Sequence, residues 1–575
     1  MKSKVMSLFV FLVTLLIVVP CVSAQTMEYL DGKSLTEVVR GRLQPVSSGP
    51  VSLPLITWGG DVATVLADTD GIFKAEGLDV RLFVENNFQK QVEGVLAGKT
   101  PYLRGTMGMI NAAAEVFKRE GVDLVVVHQL TWSNGGDTIV AKANIKNPSD
   151  LRGKTIGLQL YGPHMDYVLN ILKSAGVQPS EVKFKWLREL TLPTYNTTKA
   201  VDPVTAFQKD PTLDAVMVIN PDAQLLTSGG KIGTGADGSV KGAHILLSTK
   251  TGTRIIADVY AVRSDYADAH RAEVQKMTHA LMRGQEALTD LVKTKTQNQA
   301  KFSALMSKSA TLLFDAAQLT AETEGLLEDC EFVGYSGNVA FFTGKGTTRS
   351  FKTLTDEIQP AFRGIGLMSA RVALLSAEWD YAALAVGLRY ATNIPAPVEK
   401  FDRQKVEASV ARKISVEPTT WADKGTLFLI EINFEPNQSD FTGTQYAADF
   451  TKAIGLAETY GGSLVIIEGH SDPLGILRAK EQGEKPQVIT QMEQQSKNLS
   501  LERSRSVQAN FIAYAKSKGL RLDESHFVAV GLGASVPKYS PPKTQEEWAA
   551  NRRVVFRIKQ VEAEATEFVP LAPKK

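Results

Sequence analysis

From residue 51 to about residue 393, short runs of apolar residues alternate with stretches that have a helical period. Helical patterns cover, for example, residues 111–119 and 166–175. Because the strand-like runs are uniformly apolar, the pattern predicts a mostly parallel sheet with helices on both faces, that is, an α/β fold. From about residue 264 to 392 the pattern becomes mainly helical. The predicted strands are residues 53–57, 78–84, 124–127, 154–158 and 215–219.

The length and composition restrict the class of protein further. A chain of 575 residues exceeds one ordinary core, so two or three domains of ~100–200 residues each are expected. Hydrophobic residues make up 43% and charged residues 22%, which excludes disorder, collagen and coiled coil as the main state. The net charge of +2 excludes a nucleic-acid binder driven by bulk charge, and two cysteines exclude a disulfide-rich scaffold or a cysteine-based zinc site.

The N-terminus has the pattern of a secretory signal peptide. Two lysines precede an apolar run at residues 5–19, Pro20 breaks the run, and Val22, Ser23 and Ala24 supply small residues before cleavage at Gln25. A membrane anchor is the alternative, but the run is shorter than the ~20 residues that a spanning helix needs. A lipoprotein cysteine at Cys21 is a second alternative, although Pro20 stands where such signals carry a small residue. We expect an exported, soluble chain without a transmembrane segment once residues 1–24 are removed.

Composition divides the rest of the chain into five parts. Residues 25–50 form a polar lead segment, and residues 51–394 carry the strand–helix alternation. Residues 395–424 contain proline, lysine and glutamate without an apolar period, which is typical of a linker. A second domain follows at 425–559, and 560–575 is a short polar tail.

The second domain carries four separated motifs in a fixed order. Its pattern predicts strand, helix, strand, helix, strand and a closing strand. The motifs are Ile432-Asn433-Phe434, Ile467-Glu468-Gly469-His470-Ser471-Asp472-Pro473-Leu474-Gly475, Leu499-Ser500-Leu501-Glu502-Arg503, and Gly531-Leu532-Gly533 with Asn551-Arg552-Arg553-Val554. This set resembles the OmpA-like peptidoglycan-binding domain over about residues 425–559. The resemblance implies a small βαβαβ α/β sandwich.

The resemblance also implies a ligand and four site residues. In that family an aspartate and an arginine hold the diaminopimelate of the peptidoglycan stem, which carries an ammonium and a carboxylate on one carbon. The matching positions here are Asp472 for the ammonium and Arg503 for the carboxylate, and Asn437 and Arg552 match positions that line the same pocket. An arginine suits the carboxylate because its planar fork donates two hydrogen bonds. Taken singly, Asp472 could be a turn residue and Arg503 part of a solvated helix face.

Three features of this domain depart from the resemblance or suggest another chemistry. Residues 476–495 are polar and lengthen the usual loop, so we expect an exposed insert. Ser496 stands where the family carries an asparagine. His470 could suggest a metal, but no second ligand lies at a useful spacing, so we interpret it as a packed, hydrogen-bonded histidine.

The middle region has a second resemblance. The motifs are Leu66-Ala67-Asp68-Thr69-Asp70-Gly71-Ile72-Phe73, Asp150-Leu151-Arg152-Gly153-Lys154-Thr155-Ile156-Gly157, Asp214-Ala215-Val216-Met217-Val218-Ile219-Asn220-Pro221 and Tyr260-Ala261-Val262-Arg263-Ser264-Asp265. Over about residues 51–388 they resemble type 2 periplasmic solute-binding proteins of the sulfonate, nitrate and thiamine-precursor transporter branch. The resemblance implies two α/β lobes that are joined by crossing strands, with the ligand between them.

The ends of the predicted strands supply candidate ligand contacts, because ligands of open α/β sheets lie beyond the carboxyl ends of the strands. For each aromatic residue, core packing is the alternative. The set is rich in aromatics and aspartates, which favours a small organic amine or heteroaromatic ligand over an inorganic anion or a sulfonate. The candidates are Trp58, Asp61, Thr106, Trp132, Tyr161, Asp166, Asn220 and Asp222.

Together these features predict an exported solute receptor of the ABC-transporter type, tethered to peptidoglycan. It would lie in the periplasm near the outer membrane of a Gram-negative-type bacterium, with a permease as a further partner. One alternative is an enzyme of the thiamine-precursor type, and another is a structural spacer or partner-docking protein. No catalytic group, metal site or cofactor is predicted, because the sequence shows no serine–histidine–aspartate order and no metal-spaced histidines. Cys330 is interpreted as half-buried and inert.

Overall fold

The structure of the protein is a computed structural model, and it describes residues 27–191, 201–236, 238–391, 410, 426–433 and 446–559. The predicted signal peptide at 1–24, the tail from 560 and all of the predicted linker except Val410 lie outside the described residues. Asn437 lies outside them as well.

Strands and helices alternate from residue 27 to 391, as the sequence pattern predicts. The strands are β1 (Val51–Leu55), β2 (Val80–Val84), β3 (Tyr102–Thr106), β4 (Leu124–Ser133), β5 (Asp137–Ala141), β6 (Thr155–Gln159), β7 (Lys183–Leu187), β8 (Ala215–Ile219), β9 (His244–Ser248), β10 (Ala257–Arg263), β11 (Cys330–Phe332) and β12 (Leu374–Ser376). The helices are α1 (Leu35–Val38), α2 (Asp61–Thr69), α3 (Ile72–Ala75), α4 (Phe88–Leu96), α5 (Met107–Arg119), α6 (His164–Ser174), α7 (Pro203–Lys209), α8 (Asn220–Leu226), α9 (Ser264–Ala269), α10 (Arg271–Lys293), α11 (Gln299–Phe314), α12 (Thr320–Glu328), α13 (Gly334–Thr343), α14 (Phe351–Gly364) and α15 (Tyr381–Ala385).

These strands form two separate groups, which we call lobe one and lobe two. Lobe one contains the parallel pair β1–β2 and a second sheet in the order β11-β4-β10-β3. Lobe two is a five-stranded sheet in the order β7-β6-β8-β5-β9. The chain passes from lobe one to lobe two between β4 and β5, and returns between β9 and β10. We call residues 134–136 the first crossing and residues 249–256 the second crossing.

The strands beside the crossings correct the prediction of a mostly parallel sheet. Strands β6, β7 and β8 are parallel, as predicted. Strand β10 is antiparallel to both β3 and β4, and β5 is antiparallel to both β8 and β9. The reason is topological: β4 carries the chain out of lobe one and β10 carries it back, so two neighbouring strands must run in opposite directions.

The lead segment is part of the fold. Leu35 and Val39 are buried against the core of the region, and Leu30 forms a bridge with Trp186 of β7. Beyond β10, the long helix α10 packs on α2, and α14 packs on both α5 and α6. Helix α14 therefore contacts a helix of each lobe.

A second α/β unit follows. Its strands are β13 (Thr426–Asn433), β14 (Leu464–His470), β15 (Phe527–Gly533) and β16 (Arg553–Lys559), and its helices are α16 (Ala447–Thr459), α17 (Leu474–Glu481), α18 (Pro486–Ser517) and α19 (Gln545–Asn551). The sheet order is β13-β16-β14-β15, with β14 and β15 parallel and β16 antiparallel to both of its neighbours. The predicted alternation of strand and helix is present, with α17 and α19 in addition.

Both faces of this second sheet are covered, because successive side chains of a strand point to opposite faces. Val465 and Ile467 of β14 pack with Phe450 of α16 and Phe511 of α18. On the other face, Leu464 and Ile466 pack with Val410, which is fully buried. Val410 of the predicted linker is thus part of the packed unit.

The predicted exposed insert at 476–495 is helical in the structure. It forms most of α17 and the first turns of α18. Its residues are largely exposed, as expected. Glutamine, glutamate and lysine have high helix propensity, which accounts for the regular conformation of a polar insert. Across the residues that the structure describes, no helix combines the length and apolarity that crossing a membrane requires.

Candidate functional site

A buried ion cluster lies beside the crossings. Arg104 of β3 donates from Nε and Nη2 to the two carboxylate oxygens of Asp61 at 3.1 and 3.0 Å, and from Nη1 to Asp258 of β10 at 2.9 Å. Arg104 and Asp61 are 0% exposed. Burial raises the pKa of Asp61 to about 6, partly opposed by Arg104, and also raises the pKa of Asp258. Burial disfavours the charge on Arg104, but the two carboxylates outweigh it and raise its pKa. With one guanidinium and two carboxylates, the cluster has more acidic than basic groups.

Trp58 is tied to this cluster through Thr131. The Trp58 Nε1 donates to Thr131 Oγ1 at 3.2 Å, and the same hydroxyl donates to Asp258 at 2.9 Å. The Trp58 ring also lies against the first crossing, because a Cβ on Gly136 would be 2.5 Å from the ring. The structure therefore brings together two of the predicted ligand contacts, Trp58 and Asp61, and gives both of them partners within the protein.

A second buried network joins the two crossings to each other. Asp137 accepts hydrogen bonds from Ser133 Oγ at 2.6 Å and lies 2.8 Å from Nε2 of His164, which begins α6. Thr249 of the second crossing bonds Ser133 at 2.8 Å and accepts from the N–H groups of Gly135 and Asp137. Both crossings are thus held by side chains in a single arrangement.

Asp166 of α6 meets lobe one directly. A Cβ on Gly108, in the first turn of α5, would lie 2.3 Å from the Asp166 Oδ1. Asp166 is 4% exposed, and neither carboxylate oxygen has a hydrogen-bond partner among the described residues. Burial raises the pKa of Asp166 to about 7, and the nearby charge of Asp137 adds to that rise. A helix N-terminus favours a negative charge beside it, which partly compensates for this burial.

The remaining predicted contacts lie apart from one another. Thr106 caps α5 by accepting from the N–H of Met109, and Trp132 packs edge-to-face on Phe341 at 6.0 Å. Tyr161 has a φ of 60° and donates its hydroxyl proton to the Lys33 carbonyl of the lead segment at 2.8 Å.

Asn220 and Asp222 begin α8 at the edge of lobe two. The side-chain oxygen of Asn220 accepts a hydrogen bond from Gln224 Nε2 at 3.2 Å, and burial raises the pKa of both Asp329 and Asp222 to about 6. The eight predicted residues therefore lie around the junction of the lobes, where they belong to several different networks of contacts.

The segment from α12 to β11 covers one side of the junction. Its strand pairs with the end of β4, and the Asn134 N–H donates to the Asp329 carbonyl at 2.8 Å. The segment packs closely against the backbone at Gly59, since a Cβ on Gly59 would be 2.0 Å from the Leu326 carbonyl oxygen. Cys330 lies in this segment, where its Sγ contacts the Leu326 carbonyl and burial raises its pKa well above the usual value. The covering segment thus occupies the space beside Trp58.

A cavity of about 400 Å³ opens between α6 and α14. Asp166 is the one predicted ligand contact that lines it. No local pattern pointed to Arg349 and Glu357, two further charged residues of its lining, because they lie far along the chain in the mainly helical part. Arg104, by contrast, stands next to the predicted contact Thr106, and a search for a partner of Asp61 could have found it.

In the second unit, the strand ends hold three of the four residues that the resemblance selects. Asp472 follows β14, with its Oδ1 accepting from the Leu474 N–H at 3.1 Å. Arg503 lies on α18 and Arg552 precedes β16. Burial lowers the pKa of Arg503, and the positive charge of Arg552 lowers it further. Two neighbouring guanidinium groups make this edge of the sheet a favourable place for an anion.

Close packing holds α18 against this edge. A Cβ on Gly469 would lie 1.9 Å from the Ser500 carbonyl, and the Gly533 N–H donates to Ser500 Oγ at 2.9 Å. The motif glycines therefore let the helix approach the strand ends, which places Arg503 one turn beyond. His470 is buried, with its Nε2 3.7 Å from Glu468. Among the described residues, no group of histidine, cysteine, aspartate or glutamate side chains is arranged to hold a metal ion.

Residues 62–290 match the family model described as NMT1/THI5 like. This match supports a solute-binding protein fold for the two lobes. None of the curated proteins matches the chain.

Several solved structures are similar to part of the chain. The periplasmic aliphatic sulphonate binding protein SsuA from Escherichia coli shares 15% identity, with 58% of this chain and 96% of that chain covered and a TM-score of 0.37. The periplasmic nitrate-binding protein NrtA from Synechocystis PCC 6803 shares 11% identity, with 60% and 91% covered and a TM-score of 0.38. The Candida albicans CA3427 gene product, described as having the generic periplasmic binding protein fold, shares 13% identity, with 58% and 99% covered and a TM-score of 0.38.

Proposed function

We propose that the chain is an exported solute-binding protein of the ABC-transporter receptor type that is tethered to peptidoglycan by its second α/β unit. It would act in the periplasm, close to the outer membrane of a Gram-negative-type bacterium. The observation that carries the receptor role is the pair of crossings at residues 134–136 and 249–256, because lobes joined by crossing segments can rotate about that junction. The NMT1/THI5-like match over residues 62–290 supports the same role.

The solute would bind at the junction when the lobes separate. The contacts of Gly108 with Asp166 and of Gly136 with Trp58 belong to a closed arrangement, and the covering segment from α12 to β11 would have to move for entry. The junction carries an excess of carboxylates, with Asp61 and Asp258 on Arg104 and with Asp329 near Asp137. A cationic or heteroaromatic organic solute fits that charge better than nitrate or a sulfonate.

The test is a thermal-shift screen of the mature chain, residues 25–575, with amines, pyrimidines, sulfonates and inorganic anions. A solute that binds only the folded state stabilises it by about 2.7 kcal/mol at a hundredfold excess over its dissociation constant. Trp58 should report the same titration as a fluorescence change. Asp222→Asn should weaken the response, whereas Asp268→Asn, an exposed carboxylate on α9, serves as the matched control.

A spacer that binds no solute is the second candidate, because the covering segment packs against Gly59 and pairs with β4. The same screen separates the two roles. If no compound shifts the melt and native mass spectrometry of protein purified from cells shows no bound molecule, the spacer role replaces the receptor role.

The tether to the wall would rest on Asp472 and Arg503. Diaminopimelate presents an ammonium and a carboxylate, and the pair of Arg503 and Arg552 favours the carboxylate through charge and two-pronged hydrogen bonding. Asp472, at the end of β14, would meet the ammonium. The mature chain should therefore sediment with purified diaminopimelate-type peptidoglycan.

The variants make this test specific. Asp472→Ala with Arg503→Ala should abolish sedimentation with the wall, and Arg503→Lys should weaken it, because an ammonium cannot reproduce the fork of a guanidinium. Arg505→Ala removes an exposed cation from the same helix and should leave binding unchanged. Retained binding by the double variant would overturn the tether.

A further inference from the structure

The cavity between α6 and α14 is deep at one end and open at the other. Its deep end is formed by Asp166, Ile255 of the second crossing and Arg349. These residues are 4%, 2% and 5% exposed, respectively. Its mouth lies at Gln178 and Ser180, which are exposed. A volume of about 400 Å³ is within the usual range of sites for small organic ligands, about 300–1,000 Å³.

The charged groups that line the cavity are paired, with one exception. Arg349 donates from Nη1 to Glu357 at 2.8 Å and from Nε to the Arg254 carbonyl at 2.9 Å. Lys173 donates to the other oxygen of Glu357 at 3.1 Å. Asp356, at the rim, pairs with Lys352 and Arg371. Asp166 is the lining carboxylate without a hydrogen-bond partner among the residues that the structure describes.

Apolar side chains line part of the cavity, alongside the paired charges of Lys173, Arg349 and Glu357. Leu169 of α6 and Leu354 and Ile358 of α14 belong to this apolar part, so the cavity offers one unpartnered carboxylate and an aliphatic surface. A buried carboxylate without a partner is costly, and polar groups in proteins seldom stay in that state unless a ligand or water satisfies them. The complement of this site is a hydrogen-bond donor with a positive charge on a short apolar body.

We propose that the cavity between α6 and α14 is a binding site for a small organic amine, with the ammonium on Asp166 and the aliphatic body along Leu169, Leu354 and Ile358. A divalent metal does not fit, because among the described residues no group of side chains is arranged to hold one. An anion does not fit, because Arg349, the cation at the deep end, is already paired with Glu357 and Asp166 would repel the anion. The site lies beside the junction, and Trp58 is not among the residues that line it.

An occupant would touch two parts of the molecule that move in the proposed receptor. Asp166 belongs to lobe two and contacts Gly108 of lobe one, whereas Ile255 belongs to the second crossing. An ammonium that binds Asp166 would therefore be held at the contact between the lobes. The raised pKa of Asp166 supports this assignment, because such shifts are frequent at functional sites.

The experiment compares three probes of equal chain length on the mature protein at pH 8, where Asp166 is ionised. Binding of n-hexylamine, n-hexanol and hexanoate is measured by calorimetric titration and by ligand-observed NMR. We expect n-hexylamine to bind at least tenfold more tightly than n-hexanol, and hexanoate not to bind. Equal binding of the three probes, or no binding of n-hexylamine, overturns the proposal.

Three variants locate the site. Asp166→Asn keeps the shape of the side chain and should weaken n-hexylamine binding at least tenfold. Asp268→Asn, an exposed carboxylate on α9 outside the cavity, is the matched control and should bind as the wild type does. Ala361→Phe fills the cavity while keeping Asp166, and should also abolish binding. If n-hexylamine binds the Asp166 and Ala361 variants as it binds the wild type, the amine lies elsewhere and the proposal fails, whatever the result of the solute screen.

Discussion

The carboxylate of Glu458 accepts a hydrogen bond from the backbone N–H of Thr348 at 2.7 Å, and the two residues belong to different units of the chain. Glu458 lies in α16 of the second unit, and Thr348 precedes α14. The hydroxyl groups of Thr347 and Thr348 donate to the same carboxylate. The second unit therefore docks on the two-lobed region through a specific polar contact.

This contact extends to the second crossing. The Arg254 N–H donates to the Thr459 carbonyl at 3.2 Å, and the Gly462 N–H donates to the Thr251 carbonyl at 3.1 Å. A Cβ on Gly462 would lie 1.7 Å from the Lys250 carbonyl oxygen, so glycine is needed there. A domain held against the crossing would resist motion of the lobes.

The first prediction follows from Glu458. Replacing it with alanine leaves the Thr348 N–H without its acceptor and loosens the docked unit. A hydrogen bond to a charged group contributes about 1.5–3 kcal/mol, so amide exchange at Thr348 and Arg254 should be about tenfold faster or more. Hydrogen-exchange mass spectrometry measures this. Glu502→Ala, an exposed carboxylate on α18, is the control, and unchanged exchange in Glu458→Ala would show that the unit docks without this contact.

The second prediction concerns the buried ion cluster. Arg104→Met leaves Asp61 and Asp258 buried without their cation, and loss of one partner from a buried pair costs about 3–5 kcal/mol of unfolding free energy. Urea unfolding at pH 8 measures the loss. The loss should become smaller at pH 4, where the two carboxyl groups take up protons in the variant. Arg81→Met, exposed on β2, should change stability by less than about 0.5 kcal/mol.

The third prediction uses a glycine that approaches another lobe. An alanine at Gly108 would ordinarily stabilise a helix by up to about 1 kcal/mol. Its Cβ would lie 2.3 Å from the Asp166 Oδ1, so Gly108→Ala should instead destabilise the protein. Gly94→Ala in α4 meets nothing within 4 Å and should be neutral or stabilising. Adding Asp166→Ala to Gly108→Ala should restore part of the loss, and a purely additive double variant would argue against the contact.

Local sequence patterns predicted the elements better than they predicted their pairing. The predicted strand at 215–219 coincides with β8, because a short apolar run flanked by polar residues has one clear interpretation. The predicted strand at 124–127 is longer in the structure, since β4 continues through His128 and Thr131 to Ser133. Polar residues in a buried strand interrupt the apolar pattern from which a strand is predicted. Their burial becomes understandable only when their hydrogen-bond partners in the fold are known.

For the candidate site, too, local patterns selected residues but did not predict which of them contact one another. Asp61 was selected as a ligand contact from its position after β1, yet its partner Arg104 lies 43 residues away and the other carboxylate of the cluster lies 154 residues from Arg104. Pairing over such separations depends on the order of strands in the sheet, which the periodicity of a single sequence does not contain. Asp166, in contrast, was selected from its place at the start of α6, and the structure gives it a cavity that no local pattern could reveal.

The fourth prediction is a pH-dependent gain in stability in Asp166→Asn. Burial raises the pKa of Asp166 to about 7 from an ordinary value of 3.8, so the folded state holds a proton that the unfolded state has lost between these two values. The free energy of unfolding of the wild type therefore falls as the pH rises from about 4 to 7, and the full cost is present above pH 7. An asparagine carries no such cost, so the variant should be more stable at pH 8 by up to about 4 kcal/mol. Its advantage should shrink steadily below pH 7 and vanish near pH 4. Urea unfolding of both proteins from pH 4 to 8 measures the difference.

Because n-hexylamine favours the ionised carboxylate, a saturating concentration should reduce the advantage of the variant at pH 8, whereas n-hexanol should not. A difference between the two proteins that stays constant across this pH range would mean that Asp166 ionises as an ordinary aspartate.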